Sequence, residues 1–211
     1  INDLHGLLWQ TLINAPKTHG QMLRKLYQEG TGCAPVQIES AWQVDDKLKR
    51  DAALQRKLFE ILAGKMMGSD ARRGVPYVWI VSHLADGHGR TSPRSFLAAV
   101  RAATEDSENK YPNQALALHH ESIRRGVQKA SEIRVKEITE DYQNVGILMA
   151  PLRGLSVPCE FIRITERWHT NVSNPELDLG TAPSPSKQLQ ARSWTDVRDD
   201  LIRLGIFEIM Q

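Results

Sequence analysis

The chain has 211 residues, 41% of them hydrophobic and 25% charged, with 27 Lys+Arg against 25 Asp+Glu. That length admits one large domain or two small ones with a real core, and the near balance of charge removes any global electrostatic case for nucleic acid, so a basic face has to be local. Two distant cysteines, Cys33 and Cys159, define neither a disulfide framework nor a zinc site; no apolar run reaches the roughly 20 residues of a bilayer span, and the start does not read as a signal peptide, which together set the expectation of a cytoplasmic protein. In chain order, Asn2 or Asp3 caps a predicted helix carrying Leu4, Leu7, Leu8 and Leu12 and closing before Pro16. A second helix is expected from His19 to Gln28, with Met22, Leu23 and Leu26 apolar and Gly30 as its stop. A loop follows from Thr31 to Pro35. A third helix is expected from Leu48 to Leu62, with Leu54, Leu58, Ile61 and Leu62 on one face and Gly64 beyond its end.

The run from Val75 to Val81 is rich in β-branched and aromatic residues and reads as extended and buried. His83 to Gly89 reads as loop. Ser92 is the expected N-cap of a helix to Ala103, with Pro93 at its first position and Phe96, Leu97 and Val100 at helical spacing. That start places Arg94 in the first turn. The helix dipole does not stabilise a cation there, but a cation beside free backbone N–H groups is suited to meeting an anion such as a phosphate. Pro112 is expected to open a long helix to Tyr142.

The last third changes character. Short helices are expected at 145–152 and 159–168. A Pro- and Gly-containing loop follows from Asn171 to Ser186. Ser193 then caps a helix carrying Trp194, Val197, Leu201 and Leu204, ended by Gly205, and Ile206 to Ile209 alternates like a strand. Three short helices with a strand straight after the third is the order of a winged helix-turn-helix. A second wing strand would lie beyond Gln211, and the chain starts at Ile1 inside a helix, so a longer parent protein is expected. The predicted fold is mainly α, divided into a helical lid-like subdomain (1–110), a long connecting helix (111–144) and a winged-helix-like domain (145–211).

This order resembles the region after the nucleotide-binding core of AAA+/STAND-type P-loop ATPases. Ser92-Pro93-Arg94-Ser95-Phe96-Leu97 is similar to their lid helix, Thr195 to Ile209 to the third helix and first wing strand, and Tyr77 to Gly87 to the segment before the lid arginine in bacterial P-loop ATPases. The resemblance implies that Arg94 reaches nucleotide phosphates, and that ATP and magnesium belong to the full-length protein. It implies a regulatory, interaction segment that docks protein partners or the ATPase core. No Gly-x-x-x-x-Gly-Lys-Ser/Thr occurs and no strand ends in paired acids, so this chain alone is not expected to be an ATPase or to hold a cofactor. The alternative is a stand-alone helical DNA-binding or adaptor module without nucleotide chemistry.

The remaining clusters carry less. His83, Asp86 and His88 fall within six residues, but a zinc site needs further ligands, so no metal is expected. His119 and His120 read as surface positions of the long helix. Arg124, Arg125, Lys129, Arg134 and Lys136 alternate there with glutamates, the pattern of a solvated face. For DNA or a partner the candidate contacts are Lys187, Arg192, Arg198 and Arg203. Asp196, Asp199 and Asp200 on the same helix repel phosphates, which favours protein contacts there.

Overall fold

The structure is a computed structural model and describes residues 2–172 and 193–210. As expected, it is mainly helical. The chain divides into two compact units, Ile1–Ala85 with Thr91–Ser131, and Asp86–Arg90 with Glu132–Gln211. Among the described residues no helix is long and apolar enough to cross a membrane.

In the first unit, α1 (Asn2–Ile13) buries Leu4, Leu8, Trp9 and Ile13. The second helix, α2 (Lys17–Thr31), extends past the expected stop at Gly30 and ends at Gly32, whose φ of 76° suits a residue without Cβ. Gly30 is instead a packing position, because a Cβ there would stand 2.4 Å from Leu58 Cδ2. A hairpin absent from the sequence reading follows: β1 (Val36–Ile38) pairs antiparallel with β2 (Ala41–Gln43). Both strands are largely exposed, and the side-chain amides of Gln10 in α1 and Asn14 just after it hold the second. Asn14 Oδ1 accepts from Trp42 N at 2.8 Å, and Gln10 Nε2 donates to Trp42 O at 2.6 Å.

The single helix expected over 48–62 is two. Asp51 stops α3 (Asp46–Arg50) and its carboxylate then caps α4 (Ala52–Ala63) by accepting from Leu54 N. The Val75–Val81 run is not extended. It forms α5 (Pro76–Ser82), with Pro76 in the first turn and Tyr77, Ile80 and Val81 buried. Spacing of i, i+3 and i+4 against a core overrides the β propensity of these residues. The next helix, α6 (Pro93–Lys110), runs seven residues past the expected end at Ala103 and buries Phe96, Ala99, Val100 and Ala103. The long helix does not begin at Pro112; residues 111–119 form turns and α7 spans His120–Asp141. One large core joins Leu4, Phe59, Tyr77, Ile80, Phe96 and Ile123, and a second joins Trp9, Tyr27, Val44, Leu48 and Leu58.

The basic side expected on α7 is partly spent inside the unit. Asp106 Oδ2 accepts from Arg125 Nη2 at 2.6 Å, Arg125 Nε at 2.8 Å and Ser122 Oγ at 2.7 Å. Arg125, with help from Lys110 and Ser122 against burial, holds the Asp106 carboxyl well below the usual carboxylate range. We expect Asp106→Asn to cost about 1–2 kcal/mol in urea denaturation at neutral pH, since it removes charge from hydrogen bonds that water partly screens. A depressed carboxylate stabilises above its unfolded pKa and loses this as pH falls through the folded value. The gap between wild type and variant should therefore close in strong acid, and a gap that persists there would show a steric origin.

The second unit holds the C-terminal part of α7, α8 (Gln143–Met149), a 3-10 turn at Ala150–Leu152, α9 (Phe161–Asn171) and α10 (Trp194–Arg203). Its core is Val145, Leu148, Trp168, Val172, Val197 and Leu201. Ser193 caps α10 as expected, in a reciprocal capping box with Asp196. The strand expected at Ile206–Ile209 does not form. Ile206 N and Phe207 N both donate to Leu201 O, at 2.9 and 3.2 Å, while Gly205 O accepts from Gly87 N at 2.8 Å. The first residues of that stretch thus close the helix and bond to the 86–90 turn rather than to a second strand.

Candidate functional site

Arg94 is set by three local choices. Pro93 starts α6, and Ser92 occupies the N-cap position without its hydroxyl capping the helix. Thr91 Oγ1 donates to Val81 O at 2.9 Å and ties the start of α6 to the end of α5. Ser95 and fully buried Phe96 then anchor one face of the first turn in the core. Arg94 precedes Phe96 by two residues, about 200° around the helix, and is exposed. A guanidinium so placed stands at the positive, N-terminal end of α6, where the Ser92 hydroxyl makes no cap, and both the guanidinium and the helix end favour an anion.

The turn before it is built on Asp86. Its Oδ1 accepts from His88 N at 3.0 Å and Arg90 N at 2.9 Å, and Arg134 Nη2 lies 3.5 Å from Oδ2. Burial raises the Asp86 pKa, but these backbone donors and the Arg134 charge outweigh it and hold the group ionised. His88 Nε2 lies 3.1 Å from Arg203 O, where the carbonyl accepts. In the first unit, His83 stacks on Trp79 with ring centroids 3.9 Å apart, and its Nδ1 lies 2.8 Å from Trp79 O. Among the described residues no group of three His, Cys, Asp or Glu is placed to hold a metal.

Of the four basic residues proposed for DNA or a partner, Lys187 and Arg192 lie outside the described residues. Arg198 donates through Nε and Nη2 to Asp199 Oδ1 at 3.0 and 2.8 Å and lies over the Phe161 ring. Arg203 donates to Asp200. Both arginines of α10 therefore meet carboxylates of their own helix. Sequence reasoning expected a helix at α9 but passed over its basic pair, Arg163 and Arg167, exposed one helical turn apart on a groove of about 410 Å³ that also includes Ser156, Glu166 and Thr170. The i, i+4 spacing was the available signal. The two histidines placed on the long helix stand at its beginning instead: His119 precedes α7 and His120 opens it.

No protein-family model, curated protein or solved structure matches the chain.

Proposed function

We propose that this chain is the lid and docking segment of a larger P-loop ATPase, in which Arg94 reaches the phosphates of a nucleotide held by a core outside these 211 residues. The observation that carries this reading is the exposed Arg94 in the uncapped first turn of α6, with Thr91, Ser95 and Phe96 fixing the turn beneath it. A cation carried at the N-terminal end of a helix whose first turn is fixed in the core stabilises charge that builds on a transferring phosphoryl group. The second unit is then a docking module of three short helices, α8, α9 and α10, without, among the described residues, the wing strand that a winged helix would place after the third. Its α10 surface, where both arginines are met by aspartates, favours a protein partner or the ATPase core over DNA.

The test compares wild type and Arg94→Ala in the full-length protein. ATP turnover should fall tenfold or more while the melting temperature stays within a degree or two, because an exposed arginine contributes little to stability. An unchanged rate would remove the lid role. The 211-residue chain alone should show no turnover, since it has no Walker motif to cradle a triphosphate and its magnesium.

A further inference from the structure

We propose that the cavity between the 63–69 loop and the 114–120 turn of the first unit is a binding site for a small organic anion, with a carboxylate or phosphate head and an apolar body about one ring in size. This goes beyond the ATPase reading and uses none of its residues, so either can fail without the other. The cavity measures about 400 Å³ and is walled by Ala63, Met66, Leu116 and Leu118, with Lys65, Ser69, Gln114, His119 and His120 as its polar lining. That volume lies at the small end of ligand pockets, and the mixture of apolar walls with a few donors is their usual chemistry.

The polar lining is one-signed. No carboxylate is among the lining residues, the nearest acid to the lining histidines being Glu121, whose Oε1 lies 3.7 Å from His120 Nε2, and Lys65 is exposed and forms no ion pair with an acid among the described residues. The His119 ring is fixed in one tautomer. Its Nδ1 accepts from Glu121 N at 3.2 Å, so the neutral ring carries its proton on Nε2 and donates there. Tyr111 stacks on His119 with centroids 3.6 Å apart and His120 lies 4.2 Å away, which locks the ring orientation. His119 N is in turn held by Ser107 Oγ at 2.9 Å. Burial, then the neighbouring His120, lowers the His119 pKa, so the donor is a neutral imidazole at physiological pH. Two glycines with positive φ shape the loop: at Gly64 a Cβ would stand 3.0 Å from Leu116, and at Gly68 it would stand 3.5 Å from His120. A fixed N–H donor, an exposed ammonium and apolar walls select an anion that carries a hydrophobic group over a bare ion or a neutral ring.

The experiment follows the histidine Cε1–H resonances of the whole chain by NMR, with His119 and His120 assigned from His119→Gln and His120→Gln. The probes are benzoate, phenyl phosphate, benzyl alcohol and inorganic phosphate. Saturable shifts confined to His119 and His120 with benzoate or phenyl phosphate are expected, and whichever acid binds more tightly identifies the head group. Benzyl alcohol and inorganic phosphate should each bind at least tenfold more weakly. Lys65→Ala should weaken the organic anion about tenfold, the worth of one charge-assisted contact, while Lys49→Ala changes nothing. The absence of saturable shifts overturns the proposal. Equal binding of benzyl alcohol or of inorganic phosphate, or an affinity indifferent to Lys65→Ala, overturns it too.

Discussion

Replacing Trp168 by alanine is expected to cost about 3–5 kcal/mol, the range for emptying a fully buried indole site. Trp168 is completely buried at the centre of the second unit's core. Its ring stacks on Trp194 at 5.2 Å and Phe207 at 6.1 Å and takes Phe161 edge-on at 6.1 Å. Its Nε1 donates to Leu148 O at 2.8 Å, so one side chain joins α8, α9, α10 and the segment after Gly205. A loss of that size is a large fraction of the stability of any domain. The two cores of the first unit share no residue with this one. Hydrogen exchange by mass spectrometry on the whole chain should therefore show α8, α9 and α10 losing protection in Trp168→Ala while α1 and α4 keep theirs. Trp168→Phe retains most ring contacts but leaves the Leu148 carbonyl without this donor, and about 1–3 kcal/mol is expected. Protection of α9 and α10 unchanged in the alanine variant would show that this cluster does not hold the unit together.

Helices whose ends are written in local chemistry were legible in the sequence. The Ser193 cap with Asp196 three residues on, and the Ser92-Pro93 start of α6, are interactions within four residues and need no knowledge of the rest of the chain. What was missed depends on distant partners. The β1–β2 hairpin turns at Glu39-Ser40, with Glu39 at φ 53°, and lacks the Asn-Gly or Gly signal of such turns; the amides of Gln10 and Asn14, more than two dozen residues away, hold it. Segment 75–81 carries a strand's composition and a helix's spacing, and the burial of Tyr77 and Ile80 decided between them. The strand at 206–209 required a neighbour to pair with, and Leu201 and Gly87 take up its first backbone groups instead.

The candidate site divides in the same way. The exposure of Arg94 was legible because it follows from a first-turn position beside buried Phe96. The neutralisation of Arg198 and Arg203 was half legible, since Asp199 and Asp200 stand within three residues of them. The cavity beside His119 was not legible. It is assembled from segments about fifty residues apart, and the cap that fixes its tautomer exists only because α7 begins at His120 rather than near Pro112.

Acidification should destabilise the first unit by about 3 kcal/mol through one residue, His5. His5 is fully buried among Tyr77, stacked at 4.1 Å, and Phe59 and Phe96, T-shaped to it at 4.7 and 5.1 Å. Its Nε2 lies 3.0 Å from Tyr77 O, and because a carbonyl only accepts, the proton sits on Nε2. Its Nδ1 has no hydrogen-bond partner among the described residues, so a second proton would place an unpaired charge in apolar surroundings. Burial accordingly lowers the pKa from 6.5 to about 4, against the smaller opposing pull of the Tyr77 carbonyl. A base with a depressed folded pKa binds fewer protons folded than unfolded, so stability rises with pH between those two values. The contribution is whole above pH 6.5, falls steadily toward pH 4 and levels off below it. Urea denaturation across that window should show the slope in wild type. His5→Phe preserves an aromatic ring and abolishes the titration, so the difference between the two curves isolates His5 from the other histidines. Parallel curves for wild type and His5→Phe would mean that the folded protein accommodates the charged ring, for which the surrounding Phe59, Tyr77 and Phe96 offer no counter-ion.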